Sequence, residues 1–144
     1  MNGGSVSEEG TASERIRVLI VDDHRLFAAA LRTLIERDER ISVVGTAFSG
    51  PEAIDLAQLE SADVVLMDVS MPGMDGLEAT RRLLELQPSA RVIVLSGRTE
   101  PQAASDARAA GAVDYLTKGG VHSEVADAIV AAASRPATGD PSLR

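Results

Sequence analysis

An α/β fold, in which five parallel strands alternate with five helices, is the fold class that the sequence predicts, and three observations carry it. Short β-branched apolar runs recur five times, each followed by a helical stripe of Leu, Ile or Ala. The runs are continuous rather than alternating, the pattern of strands covered on both faces. Four of the five stop at residues suited to chemistry: Asp22-Asp23, Asp68, Ser96-Gly97 and Lys118. In an open parallel sheet ligands bind beyond the carboxyl ends of the strands, where these residues lie.

The elements follow in order. Ile16–Val21 (β1) is a β-branched run, apolar except for Arg17, closing on Asp22-Asp23-His24. Leu26, Phe27, Ala30, Leu31, Leu34 and Ile35 repeat at helical spacing and predict α1. Ile41–Ala47 is β2, and Ser49-Gly50-Pro51-Glu52 opens α2, with proline in the first turn, through about Glu60. Residues 63–67 form β3, which delivers Asp68 at its end. Pro72-Gly73 ends regular structure, Asp75 caps a helix beginning at Gly76-Leu77 (α3), and Pro88 enforces that helix's end. Residues 91–95 form β4, stopping at Ser96-Gly97. Residues 101–110 form an Ala-rich, weakly anchored α4 with Gly111 at its C-cap. Residues 112–117 form β5, ending at Lys118-Gly119-Gly120, and Val121, Val125, Ala128, Ile129 and Ala132 mark α5. Short β-α connections imply right-handed crossovers with helices on both faces. The flavodoxin-like (βα)5 order 2-1-3-4-5 puts the switch point between β1 and β3, so Asp22, Asp23 and Asp68 meet in one crevice.

A chain of 144 residues suits a single domain with a real core. Residues 1–15 read as a disordered tail, 16–133 as the domain, and 134–144 as a Pro/Gly/Ser linker-like tail. With 2% aromatic residues the core must come from Val, Leu, Ile and Ala. There are no cysteines, which excludes disulfides and thiolate chemistry. A net charge of −8 repels phosphate backbones, so direct nucleic-acid binding is not expected, and Arg81-Arg82 and Arg32/Arg37 read as solvated helix faces. No leader pattern or membrane-length apolar run is present, so a soluble, cytoplasmic protein is expected.

Three carboxylates at one edge repel each other and raise one another's pKa unless a cation neutralises them. Mg²⁺, a hard ion that prefers oxygen ligands and retained waters, is the natural choice. Ser96 and Lys118 bring a hydroxyl and a positive charge to the same edge. A carboxylate nucleophile, a metal, a lysine and a hydroxyl together suit formation of an aspartyl phosphate, where catalysis is mostly positioning and charge neutralisation.

On Leu19-Ile20-Val21-Asp22-Asp23-His24, the run from Val65 through Asp68 to Gly76, Leu95-Ser96-Gly97 and the run from Gly111 to Lys118, the chain resembles the receiver domain of two-component response regulators. Asp22-Asp23-His24 and Val43-Val44-Gly45 look most like the NarL/LuxR-type regulators. The resemblance implies a signalling phospho-acceptor that assists its own phosphorylation and dephosphorylation rather than an enzyme of metabolism. Asp68 would take a phosphoryl group from a sensor histidine kinase. Asp23, Asp68 and the Ser70 carbonyl would ligate Mg²⁺, with Asp22 helping through water. Lys118 would pair with the phosphoryl oxygens. Ser96 would bond to the phosphoryl group and draw its loop inward, letting Tyr115 turn from exposed to buried. The output face, and a homodimer contact, would be α4-β5-α5. DNA would be reached only through an output domain that this chain does not carry. Two features depart from the family: Gly119-Gly120 follows Lys118 where proline is usual, and Ser70 and Arg98 occupy positions that tune hydrolysis of the acyl phosphate.

Taken singly, Asp22, Asp23 and Asp75 read as helix caps, Lys118 as a surface cation, and Tyr115 as a packing residue. His24 and His122 lack metal-ligand spacing and read as surface residues, and Met67, Met71 and Met74 as packing. It is the joint placement of Asp22, Asp23, Asp68, Ser96 and Lys118 that favours the phospho-acceptor. An Mg²⁺-dependent aspartyl phosphatase needs a cap insertion that these loops are too short to supply. The alternative is a stand-alone or phosphorylation-independent receiver-like interaction module; one that has lost phosphorylation would be expected to lack an acid or the lysine, and none is missing.

Overall fold

A computed structural model describes residues 15–98, 100–120 and 124–135. The strands are β1 Ile16–Val21, β2 Ile41–Ala47, β3 Val64–Asp68, β4 Arg91–Ser96 and β5 Asp114–Thr117. The helices are α1 Arg25–Ile35, α2 Gly50–Leu59, α3 Gly76–Leu86, α4 Pro101–Ala109 and α5 Val125–Ala133, and a 3₁₀ turn spans Lys118–Gly120. All strand pairs are parallel and the sheet order is β2-β1-β3-β4-β5, the predicted topology. The tails and Val121 and His122 lie outside the described residues.

Alternate residues of each central strand feed two cores. Leu19 and Val21 of β1, Val65 and Met67 of β3, and Val92 and Val94 of β4 face α2, α3 and α4. Val18 and Ile20, Val64 and Leu66, and Ile93 and Leu95 face α1 and α5. The helix side of the first core is built largely from Ala53, Ala57, Ala79, Leu83 and Ala107, all essentially buried, so the helices lie close on the sheet. Met67 and Met71 are buried and Met74 packs against the same cluster, so all three methionines pack as predicted.

Local signals are realised at the caps. Asp75 Oδ1 accepts from the Leu77 and Glu78 N–H groups, both at 2.9 Å, and opens α3. Ser49 Oγ accepts from Glu52 N–H at 3.3 Å, while Glu52 Oε1 accepts from Phe48 N–H at 2.8 Å. Gly111 follows α4 with φ +109°, the left-handed geometry of a helix C-terminus.

The structure differs from expectation in three places. In α1 the inward stripe is Ala28, Leu31 and Ile35, while Leu26 is 89% exposed and Ala30 is exposed. At 100° per residue those two positions rotate off the face that Leu31 and Ile35 define. Leu86, which the sequence groups with Leu77, Ala79, Leu83 and Leu84 on the apolar stripe of α3, likewise points outward from the last turn. β5 starts at Asp114, because Val113 makes one sheet bond, to the Val92 carbonyl at 2.8 Å, before the ladder proper begins.

Candidate functional site

At the carboxyl edge of the sheet, β1 and β3 are neighbours and lift Asp22, Asp23 and Asp68 into one place. Asp22 and Asp68 are each 1% exposed, whereas Asp23 is half-buried. Lys118, on the turn after β5, crosses the top of β4 to reach both buried acids. Its Nζ lies 2.9 Å from Asp22 Oδ2 and 3.1 Å from Asp68 Oδ1. The two glycines after Lys118 do not stop it from reaching the acids. Phe27, the third residue of α1, adds its ring 4.7 Å from the same ammonium, which favours keeping the charge at the site.

The oxygens of Asp68 are divided between two tasks. Oδ1 takes Lys118 and, at 3.3 Å, the Ser70 N–H. Oδ2 is buried without a hydrogen-bond partner. Burial above all, and then the negative charge of Asp22, pushes the Asp68 carboxyl above the ordinary range, against the opposing pull of Lys118 and Ser70. For Lys118, burial works to lower the pKa, but the hydrogen bonds to Asp22 and Asp68 outweigh it and raise it, so the ammonium stays charged.

A dication fits this set on the structure's own terms. One donor atom each from Asp22, Asp23, His24 and Asp68 lies within 4.8 Å of all the others, and the orphaned Asp68 Oδ2 has the partner-seeking geometry of a ligand. Asp22 and Asp23 are not side-chain caps of α1: the N-cap is His24, without a side-chain cap bond, and Asp22 Oδ1 accepts from His24 N–H at 2.8 Å.

Ser96 and Tyr115 stand beside this cluster rather than in it. Ser96 is buried at the end of β4, and its Oγ accepts from Arg98 N–H at 3.0 Å. Tyr115 is half-buried, and its hydroxyl donates to the Arg98 carbonyl. Both main-chain groups of Arg98 are thereby held, one by each residue. Between this loop and the Asp68 loop lies a cavity of about 160 Å³, lined by Ser70, Asp75, Ser96, Arg98, Asp106 and Tyr115.

Two residues matter to the site beyond what the sequence pattern assigns them. The helical spacing marks Phe27 only as a core position, although an aromatic one turn beyond an acid pair is a usable signal. Gly76 was read only as a helix start. A Cβ there would lie 2.1 Å from the Asp68 carbonyl oxygen and 2.7 Å from Val69 Cα, so only glycine lets α3 begin against the strand that carries Asp68.

Comparison with known proteins agrees with this fold. A family model described as the response regulator receiver domain matches residues 18–130. The response regulator UvrY of Escherichia coli K12 is 43% identical over 114 residues, which is 79% of this chain and 52% of that protein. The transcriptional regulatory protein LiaR of Bacillus subtilis is 39% identical over 128 residues, 89% of this chain and 59% of its own length. The chain therefore spans somewhat over half the length of these curated relatives. Among solved structures, the signal receiver domain of NarL from Mycobacterium tuberculosis superposes with TM-score 0.80 at 32% identity, covering 85% of this chain and 99% of that one. A LuxR-family two-component response regulator from Aurantimonas sp. SI85-9A1 gives TM-score 0.81 at 32% identity, covering 90% and 92%.

Proposed function

Because the chain belongs to the response regulator receiver family of two-component signalling, we propose that residues 16–133 form a phosphorylatable receiver whose acceptor is Asp68. The supporting observation is the split of the Asp68 carboxylate: Oδ1 is held by Lys118 at 3.1 Å while Oδ2 stays buried and unpartnered. That division leaves one oxygen for a cation and one to attack phosphorus. The donor is the phosphoimidazole of a sensor histidine kinase. An Asp68 oxygen bonds to phosphorus as the N–P bond breaks, and the electron pair returns to the imidazole nitrogen. Lys118 moves with the transferred group and pairs with its oxygens. Asp23, Asp68 and the Ser70 carbonyl would hold Mg²⁺, with Asp22 acting through water, and the ion would supply neutralisation of charge on the phosphoryl oxygens. Water later attacks the acyl phosphate, which releases inorganic phosphate and restores the Asp68 carboxylate.

Switching follows from the clasp on Arg98. When Ser96 Oγ turns to the phosphoryl group it gives up the Arg98 N–H, and the loop after β4 and the Tyr115 hydroxyl are freed together. The affected surface is α4-β5-α5, which serves as the contact for a homodimer and for an output module that reads DNA. Among the described residues no helix is long and apolar enough to cross a membrane.

The test is intact mass after incubation with acetyl phosphate and Mg²⁺, beside Asp68→Asn and a chelator control. One added phosphoryl group that requires both Asp68 and Mg²⁺ is the expected result. No adduct, with beryllofluoride binding also absent so that rapid hydrolysis is excluded, refutes the reading and leaves a phosphorylation-independent interaction module.

A further inference from the structure

Both phenylalanines of the chain lie against a cation at the carboxyl edge of the sheet. Phe27 meets Lys118, whose ammonium is already engaged by Asp22 and Asp68. Phe48 meets Arg25, and the guanidinium carbon stands 3.9 Å from the ring centroid, within stacking range. Arg25 opens α1 two residues beyond Asp23. Phe48 follows Ala47, the last residue of β2, whose carbonyl accepts the Asp22 N–H at 3.0 Å, so the stacked pair stands beside the acids. The ring's own position is fixed from α2, because Glu52 Oε1 accepts the Phe48 N–H at 2.8 Å and Ser49 Oγ accepts the Glu52 N–H at 3.3 Å.

What this guanidinium lacks is an acceptor. Arg17, Arg32, Arg40, Arg82 and Arg98 each pair with a carboxylate. Arg25 is exposed, and among the described residues its side chain is held by the Phe48 ring alone. A guanidinium stacked by its face keeps its N–H donors, which lie in the plane of the group, open to an anion.

We infer that Arg25, laid on Phe48, is the docking cation for the phosphoryl donor and holds the dianionic phosphoryl group at the mouth of the site before transfer to Asp68. This rests on the reading of Asp68 as the phospho-acceptor. Charge makes such a group necessary: the chain carries −8, Asp22, Asp23 and Asp68 gather at this edge, and Lys118 is spent on two of them. An anionic donor is therefore repelled as it approaches, and a fixed cation with free donors offsets the repulsion. Because Arg25 attracts the donor equally before and during transfer, it lowers the donor concentration needed and leaves the maximal rate unchanged.

The experiment measures initial rates of adduct formation by intact mass, on the whole chain with Mg²⁺ in excess, against the concentration of acetyl phosphate and separately of phosphoimidazole. The proteins are the parent, Arg25→Gln, Arg25→Lys, Phe48→Leu and, as a control for net charge, Arg37→Gln, an exposed arginine beyond the other end of α1. The half-saturating concentration of both donors should rise about 3- to 5-fold in Arg25→Gln, the scale of one solvent-exposed ion pair, with the plateau rate kept. Arg25→Lys should restore part of the loss, Phe48→Leu should shift in the same direction as Arg25→Gln, and Arg37→Gln should match the parent. Added NaCl should raise the half-saturating concentration more steeply for the parent than for Arg25→Gln. Parental half-saturation in Arg25→Gln or in Phe48→Leu, an equal rise in Arg37→Gln, a lowered plateau in place of raised half-saturation, or a shift with only one donor overturns the proposal. A parent that forms no adduct and binds no beryllofluoride would instead overturn the reading of Asp68, so the two failures are distinguishable.

Discussion

Gly76→Ala separates local propensity from the demands of the site, because the two predict opposite signs. In a helix interior alanine is favoured over glycine by about 1 kcal/mol, so propensity alone predicts a more stable protein. The structure predicts a less stable one. The added Cβ would meet the Asp68 carbonyl oxygen at 2.1 Å, the Asp68 carbonyl carbon at 2.8 Å and Val69 Cα at 2.7 Å. Ordinary contact distances are about 3.5 Å, so the start of α3 and the end of β3 must part by about 1 Å. None of the contacting atoms is the tip of a flexible side chain, so the strain cannot be relieved by a rotamer change. Overpacking of this kind costs about 1–3 kcal/mol. The shift also falls on Asp68, the proposed phospho-acceptor, and a misplacement of about 1 Å lowers the rate of a positioned reaction by about 100-fold. Urea unfolding followed by circular dichroism measures the first effect, and the rate of the acetyl phosphate adduct by mass measures the second. Gly97→Ala is the control: nothing lies within 4 Å of its Cβ, so it should stay within about 0.5 kcal/mol of the parent. A Gly76→Ala protein that is as stable as the parent and phosphorylated at the parental rate would refute the argument.

Three further outcomes follow from the same geometry. The Asp68 pKa is raised in the folded state above its unfolded value of 3.8, so its contribution to stability is present below that value and lost as pH rises through the folded pKa. Asp68→Asn should therefore be more stable than the parent at pH 7 and lose that advantage below about pH 4 in urea titrations across pH; equal gains at both pH values would contradict the burial argument. Lys118→Met removes the cation between two buried carboxylates, and because Lys118 is itself partly exposed the loss at pH 7 should be about 1–3 kcal/mol, smaller than for a fully buried pair. Millimolar Mg²⁺ should restore part of that stability in thermal melts. Gly111→Ala places an L side chain at φ +109° and its Cβ 2.7 Å from Leu84 Cδ1, so it should cost about 1–3 kcal/mol in urea while leaving the Asp68 adduct intact, since the strain lies at the far end of α4 from the site.

The legible part of the molecule was the part written in short-range pattern. Continuous apolar runs separate buried strands from amphipathic helices, and Asp75 before Gly76-Leu77 or Gly111 after an Ala-rich helix reports a cap from a few neighbouring residues. Strand order then followed from alternation, and with it the meeting of Asp22, Asp23 and Asp68. What stayed hidden depends on rotation or on distance along the chain. Leu26 carries the right residue type for the α1 stripe, but its angle on the helix is settled only once Leu31 and Ile35 are docked on the sheet. The closeness of Gly76 to Asp68 belongs to the approach of a helix to a strand end, and it has no signature beyond a glycine where a helix begins. The hydroxyl of Tyr115 on the Arg98 carbonyl joins residues 17 positions apart and could not be read from either segment.

The same topology explains why so acidic an edge is tolerated. In a parallel sheet every strand hands over to a helix at the same end, so the helix amino termini, with their partial positive charge, gather where the acids are. α1 begins three residues after Asp22, and α3 begins eight residues after Asp68 and touches its carbonyl. Such fixed dipoles fade within a turn and cannot by themselves balance two buried carboxylates, so a mobile full charge is also needed. Lys118 is that charge, and it reaches the acids from a turn on the far side of β4. Because Lys118 engages only one oxygen of Asp68, a cation can approach the other without displacing it. On the proposed function, the site would keep its electrostatic balance when a dianionic phosphoryl group arrives, and would lose it when Lys118 or the acids that would hold the metal are removed.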